Sequence, residues 1–304
     1  MANPDRRYLA EAQDRERRRI ERATADAVQA IGRSMRVAGL RAWSNGADVV
    51  QAVLAETETF EALLVEAMTV AHMQGRIASG KRAAAEIGAR RKTASALTEA
   101  AEYLRKRLEL SPEQVQTIIA RYGPEAARVT RGMSSAVEAQ VQAAVAEIVE
   151  TGQHVQEGMG TIRQALDAAG VTNTQPFLLE TITRTQIQLA YGAGRWNANE
   201  DPAIQEILWG YEYVTVGDDR VRPNHEALDG TILPKDDPLW EEVWPPNGFN
   251  CRCAVVEIFD RGERSAPPLI VEIEGVQVRP GADLGWNFHP GKAFQDTFSS
   301  AGVV

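Results

Sequence analysis

Cysteine is nearly absent. The 304 residues hold two, Cys251 and Cys253, with one residue between them. A disulfide framework of the kind that holds small secreted domains is therefore excluded, and the pair is expected to be reduced or metal-bound after cytosolic synthesis. Long hydrophobic runs are absent as well. No apolar stretch approaches the roughly 20 residues that cross a bilayer, and the charged N-terminus, MANPDRRYLAEAQDRERRR, has no apolar core of a secretory signal. A membrane is not an expected partner. Histidine is scarce, and no fixed-period repeat marks a solenoid or propeller. The first 150 residues carry a single tryptophan, Trp43, and no cluster of catalytic residue types.

What is present is charge, alanine and one irregular stretch. A chain of this length with 44% apolar residues is long enough for two domains and can bury a sizeable core. The net charge of -9 is unevenly placed. The first hundred residues hold 16 Lys or Arg against 13 Asp or Glu, and those from Glu200 onward hold 8 against 19. The acidic half is a poor general surface for DNA, whereas the basic N-terminal run offers a contact for DNA or an acidic protein.

Asn3-Pro4 reads as an N-cap followed by proline at the first helical position, opening a helix to about Trp43. Arginines alternate with acids along it, and apolar positions are sparse. One reading is a solvated face laced with i,i+4 pairs. The other is an arm that docks on a larger assembly, because little apolar surface would anchor it to its own core. Helices are then expected over about 48–75, with His72 an ordinary helix histidine rather than a ligand, over 83–110, over 112–122 and over 125–150. Ser111 and Gln114 form a capping box, and Gly123-Pro124 are expected to stop the helix. A loop is expected before a short helix over 161–169 closed by Gly170. Gln175 to Asn197 follows as a helix, in which a buried Arg or Gln would organise a neighbouring loop.

After Pro202 the apolar period changes from 3.6 to 2. Residues 208–216 read as a strand, 225–230 as a short helical turn, Trp240 and Trp244 as packing anchors, 251–259 as a strand and 269–278 as a hairpin around Glu274-Gly275. The fold class is therefore α+β: an all-α scaffold or docking domain over 1–150, then a small α+β domain over 151–304.

The chain is organised around Thr215–Glu257, which holds both cysteines, His225 and two tryptophans. Three chemistries compete. His225, Cys251 and Cys253 suit Zn(II), with Asp218, Asp219 or Asp229 as the fourth ligand of a structural site. Cys251 or Cys253 with His225 as base would make a thiol enzyme. Alternatively, His225, Asp219, Arg220, Arg252 and the cysteines form a buried hydrogen-bonded network that fixes an irregular loop.

At these residues the sequence resembles the phage Mu F-like minor head morphogenesis proteins, also called MuF-domain proteins. Ile182-Thr-Arg184-Thr-Gln186 is similar to the family's I-A-R-T-E helix, with Gln186 at its usual acidic position. Thr215 to Gly230 is similar to its T-x-x-D-x-R-x-x-P-x-H-x-x-L-x-G core, here with Asp218, Arg220, His225 and Gly230. Pro245-Pro-Asn-Gly-Phe-Asn250-Cys251-Arg252-Cys253 resembles its P-P-x-G-x-N-C-R-C signature, and 283–291 its Mu-like closing segment. The resemblance covers about 155–291. Some relatives carry Cys-x-x-Cys where this chain has Arg222 and His225, which would complete a four-ligand zinc site.

The resemblance implies a non-enzymatic minor head protein of the virion, placed at the portal vertex or capsid interior. Its implied partners are the portal and major capsid proteins, with a possible role in DNA packaging or delivery. With only a short tail after Gly291, no fused enzyme domain is expected. The alternatives are a zinc-dependent or thiol enzyme and a DNA-binding internal head protein.

Overall fold

In the computed structural model, which describes residues 4–91, 106, 109–151, 153, 155–171, 177–260, 263–273 and 275–293, long helices come first and short strands last. The order is α1 (Pro4–Ser44), α2 (Val49–Leu54), α3 (Thr57–Arg91), α4 (Pro112–Thr151), α5 (Val155–Ala168), α6 (Phe177–Asn199) and α7 (Pro202–Gln205). Then come β1 (Gly210–Val214), α8 (Pro223–Glu226), β2 (Ile232–Pro234), α9 (Trp240–Val243), β3 (Ala254–Ile258), β4 (Val271–Ile273) and β5 (Val276–Val278). This is the α+β architecture expected. Most of the helix expected over 83–110 lies outside the described residues, as do the cap Asn3, the helix start Gln175 and the turn residue Glu274.

By packing, the chain divides into two compact units, and the division does not fall at a single break near 150. One unit takes Met1–Ile20, Met68–Ile118 and Thr185–Val304; the other takes Glu21–Ala67 and Ile119–Arg184.

The second of these is helical. Val28, Ile31, Met35, Phe60, Leu64, Val137, Val141, Ile162 and Leu166 form its core. Two expected breaks are absent. Pro124 lies inside α4, although an interior proline removes one helix hydrogen bond. The reason is visible in the burial: Tyr122, Ala126, Met133, Val137, Val141, Ala144 and Ile148 are all buried at helical spacing, in phase across the proline. The start of α4 is as expected, with Gln114 N–H donating to Ser111 Oγ (3.2 Å) and Ser111 N–H to Gln114 Oε1 (2.8 Å). Likewise α5 begins at Val155, not 161. Gly158 is helical there because the Trp43 indole occupies the space a Cβ would take; close packing, not a loop, calls for that glycine. In the first unit the helix expected to end at Gly75 continues to Arg91; a Cβ at Gly75 would collide with the Tyr191 carbonyl and one at Gly194 with the His72 carbonyl, so close approach and not a helix end calls for glycine there.

In the other unit β1 is the central strand of a sheet ordered β2-β1-β3, antiparallel throughout, with Gly210 opposite Ile258 and Val214 opposite Ala254. Every residue of β1 and β3 is buried, so both faces are covered. On one face Val214, Ala254 and Val256 pack with Leu9 and Ala10 of α1. On the other, Tyr211, Tyr213 and Val255 join Trp196, Trp240 and Trp244. The rings meet edge to face, with Tyr211–Trp244 centroids 4.9 Å apart and Trp196–Trp244 5.0 Å, the geometry the ring quadrupoles favour. The anchor role expected of Trp240 and Trp244 is what they perform, each 1% exposed. Strand β2 was not expected; it is three residues long and lies beside β1.

The start of α1 is not a loose arm. Gln13, Asp14 and Arg17 are buried along with Ala10. Gln13 Nε2 donates to the Val255 carbonyl (3.3 Å) and Arg17 Nη2 to the Arg252 carbonyl (3.3 Å). The scarcity of apolar residues is offset by polar side chains that satisfy sheet and loop carbonyls. The outer face fits the solvated reading: Arg15 pairs with Glu11 (3.7 Å) and Arg19 with Glu16 (3.2 Å).

Candidate functional site

After Pro245-Pro246 a turn at 248–250, closed by Cys251 N–H donating to the Gly248 carbonyl (3.2 Å), gives way to an extended path over 251–253 that feeds β3. Asn250 adopts φ 54°, a left-handed conformation that asparagine tolerates better than most residues, and its N–H donates to Thr185 Oγ1 (3.2 Å). Because side chains alternate along extended backbone, Cys251 and Cys253 fall on one side and Arg252 on the other. The two sulfurs turn inward to His225. Arg252 turns to Asp218, donating twice to its carboxylate (2.7 and 2.5 Å).

His225 sits in α8, a single turn opened by Pro223 at its first position. Its Nδ1 lies 3.8 Å from Cys251 Sγ and 3.9 Å from Cys253 Sγ, and the three donor atoms lie within 4.8 Å of one another. All three residues are buried. The Nε2 atom faces the other way, 3.2 Å from the Asn247 carbonyl and 3.2 Å from Asp283 Oδ1. Tyr213 closes the site: its hydroxyl accepts from Asn247 Nδ2 (2.9 Å) and hydrogen-bonds Cys253. Gln188 Nε2 holds the Cys253 carbonyl (2.9 Å).

The two thiols do not titrate alike. Hydrogen bonding with Cys253, aided by His225, lowers Cys251 well below the ordinary thiol value. Cys253 is pushed well above it by Cys251 and by burial. Burial, with the two sulfurs nearby, keeps the Tyr213 phenol protonated far above its usual range.

The donor set supplies three of the four ligands that a structural Zn(II) site takes. Thiolate and imidazole bond lengths around tetrahedral zinc place S and N about 3.6 Å apart, close to the 3.8 and 3.9 Å found here. Zinc takes both sulfurs as thiolates and the imidazole as a neutral ring, so its binding would release the thiol protons. The carboxylates expected as fourth ligand are elsewhere. Asp218 is held by Arg252 and Arg220, which keep it well below the usual carboxylate range. Asp229 accepts from Thr215 N–H (2.8 Å) and Oγ1 (3.0 Å), and Asp219 is exposed. Among the described residues only His225, Cys251 and Cys253 converge in this way.

Other expected site residues have different duties. Gly230 closes the turn after α8 with φ 78° and donates to the Tyr213 carbonyl (2.9 Å), setting the β1 end. Arg220 is an exposed partner of Asp218 (3.1 Å). Arg184 is half-exposed, paired with Glu180 (3.4 Å) and Glu21 (3.7 Å), and belongs to the other unit. It is Thr185 of the α6 motif, and Gln188 beyond it, that reach the cysteine loop. Asn247, Tyr213 and Asp283 were not singled out by sequence reasoning. Asn247 and Asp283 do lie inside the two motif segments quoted, which is the signal that could have found them.

Residues 139–256 match the family model described as Phage Mu protein F like protein. The Mu-like prophage FluMu F protein of Haemophilus influenzae is 33% identical over 124 residues, 41% of this chain and 30% of the relative. The putative capsid assembly protein F of Escherichia phage Mu is 41% identical over 80 residues, 26% of this chain and 18% of the relative. The chain thus spans less than a third of the length of either relative. No solved structure matches it significantly.

Proposed function

Because residues 139–256 are a Phage Mu F-like domain, we propose that the chain is a structural component of a phage head that acts in capsid assembly. The observation that carries this reading is the 41% identity to the putative capsid assembly protein of phage Mu, which spans 80 residues and not an isolated motif. The protein resides in the virion, at the portal vertex or the inner capsid, and its partners are the portal and major capsid proteins. The helical region supplies the docking surface. The buried face of the first α1 turns is already committed to the sheet, so docking uses outward faces. The test is to omit the protein from an otherwise complete head-assembly system. Malformed or unfilled heads are expected; heads normal in yield and DNA content would contradict the reading.

In this reading His225, Cys251 and Cys253 hold structural Zn(II), which staples the cysteine loop to α8. Burial supports a staple over an enzyme: with His225 1%, Cys251 6% and Cys253 2% exposed, no substrate carbonyl reaches a sulfur. On the first turns of α1 the exposed Arg15, Arg18 and Arg19 are each paired with an acid one turn away, which favours protein docking over DNA binding on that face.

A further inference from the structure

Asp283 lies beyond residues 139–256, which the family model matches, on a segment with little regular structure, yet its carboxylate is held from several sides. Arg222 Nε lies 3.3 Å from Oδ2. Asn224 Nδ2 donates to Oδ1 (3.1 Å) and to the Gly281 carbonyl (3.0 Å), while Gly281 N–H returns to the Asn224 carbonyl (3.2 Å). Asp283 N–H donates to the Asn247 carbonyl (2.8 Å). Gly248 leaves the room: a Cβ there would collide with the Asp283 carboxylate. Three separate stretches, 222–225, 247–248 and 281–283, are thereby arranged around one carboxylate, and Oδ1 points at His225 Nε2 (3.2 Å).

We propose that Asp283 is a positioning residue for the Cys-His centre: it fixes His225 with its proton on Nε2, so that the Nδ1 lone pair faces Cys251 and Cys253. An imidazole has one proton to place when neutral, and its location is set by the acceptor the ring finds. Here both acceptors, the Asn247 carbonyl and the Asp283 carboxylate, lie on the Nε2 side, and both sulfurs lie on the Nδ1 side. A carboxylate behind a ligating histidine orients the ring and raises its basicity, and its loss costs 10–100-fold in metal affinity. The metal part rests on the zinc reading above; the tautomer does not.

The experiment uses the full chain labelled with 15N-histidine, with His225→Gln to assign the ring signals. In the wild type, long-range proton–nitrogen spectra are expected to show His225 with Nε2 protonated and Nδ1 bare. Asp283→Ala, and the near-isosteric Asp283→Asn if the alanine variant does not fold, should show a mixture of tautomers. Cobalt(II) and zinc affinities, by chelator competition, should fall 10–100-fold in the same variants. Trp286→Ala is the control, since it removes the ring that meets Phe249 on the same segment and leaves the carboxylate. A merely structural role for the segment predicts that it acts like Asp283→Ala. Unchanged tautomer in Asp283→Ala and Asp283→Asn, or equal effects of Trp286→Ala, would overturn the proposal. A wild type that takes no metal but shows the tautomer shift would sink the zinc reading and leave the positioning role standing.

Discussion

Arg17, thirteen residues into the first helix, donates to the main-chain carbonyl of Arg252, the residue between the two cysteines (3.3 Å). The first turns of α1, up to Ile20, and the cysteine loop, whose bonded residues lie 235 positions apart, thus belong to one packing unit. Arg17 is 2% exposed and also lies over the Tyr191 ring at 5.7 Å.

Arg17→Ala therefore leaves a buried carbonyl unpaired and an aromatic face uncovered. A loss of about 2–3 kcal/mol is expected by urea denaturation, since charged hydrogen bonds are each worth about 1.5–3. Arg19→Ala, on the solvated face, should change stability by less than about 0.5 kcal/mol. Equal effects would mean the helix is not seated as described.

Glu257, on β3 opposite Tyr211, is fully buried and is held by Arg195, with Arg82 Nε at 3.4 Å and Asn199 Nδ2 at 3.2 Å. Burial alone would raise its carboxyl, but the Arg195 and Arg82 charges bring it below its usual value. Glu257→Ala strands the Arg195 charge and is expected to cost about 3–5 kcal/mol, by the general behaviour of broken buried pairs. A cost near zero in a denaturation series would show that Arg195 finds water instead.

Much of the local structure was legible in sequence, because it is written in neighbouring residues: the Ser111–Gln114 capping box, the Gly170 and Gly230 turns, the tryptophan anchors. The Cys-His cluster was legible too, since the motif order brought His225 and the cysteines to one stretch. What was not legible depends on distant partners. Pro124 reads as a stop unless the buried stripe on both sides is seen to be in phase. Arg17 and Gln13 read as surface residues until the carbonyls of Arg252 and Val255 are placed beside them. The Asp283–His225 contact spans a loop and a hairpin that no periodicity encodes.

The stability of the fold should fall on mild acidification. Burial, with Arg76 nearby, lowers His72 to about 3, and burial, with Lys292 nearby, lowers His289 to about 3. Their unfolded values lie near 6.5. Both are neutral in the folded protein, so the stability they contribute is full above about 6.5 and lost as pH falls toward 3. The slope approaches about 1.4 kcal/mol per pH unit for each histidine. Urea midpoints at pH 7 and pH 5 should differ accordingly; a flat profile would contradict the burial of both rings.

The cysteines should be chemically silent in the folded protein. Although Cys251 is readily deprotonated, both thiols are buried, so a chromogenic disulfide reagent should react slowly until denaturant is added, and then release two equivalents. Elemental analysis should find near-stoichiometric zinc that disappears in Cys251→Ser and Cys253→Ser, and chelation should lower the melting temperature. A rapid burst in native protein would favour thiol chemistry over a staple.

The most direct test of the central claim is quantitative mass spectrometry of purified phage heads that were assembled with the chain present. Peptides from residues 139–256, retained through a density gradient at a few copies per head, are the result expected of a structural head protein. Intact, DNA-filled heads in which no such peptide is found would contradict the account.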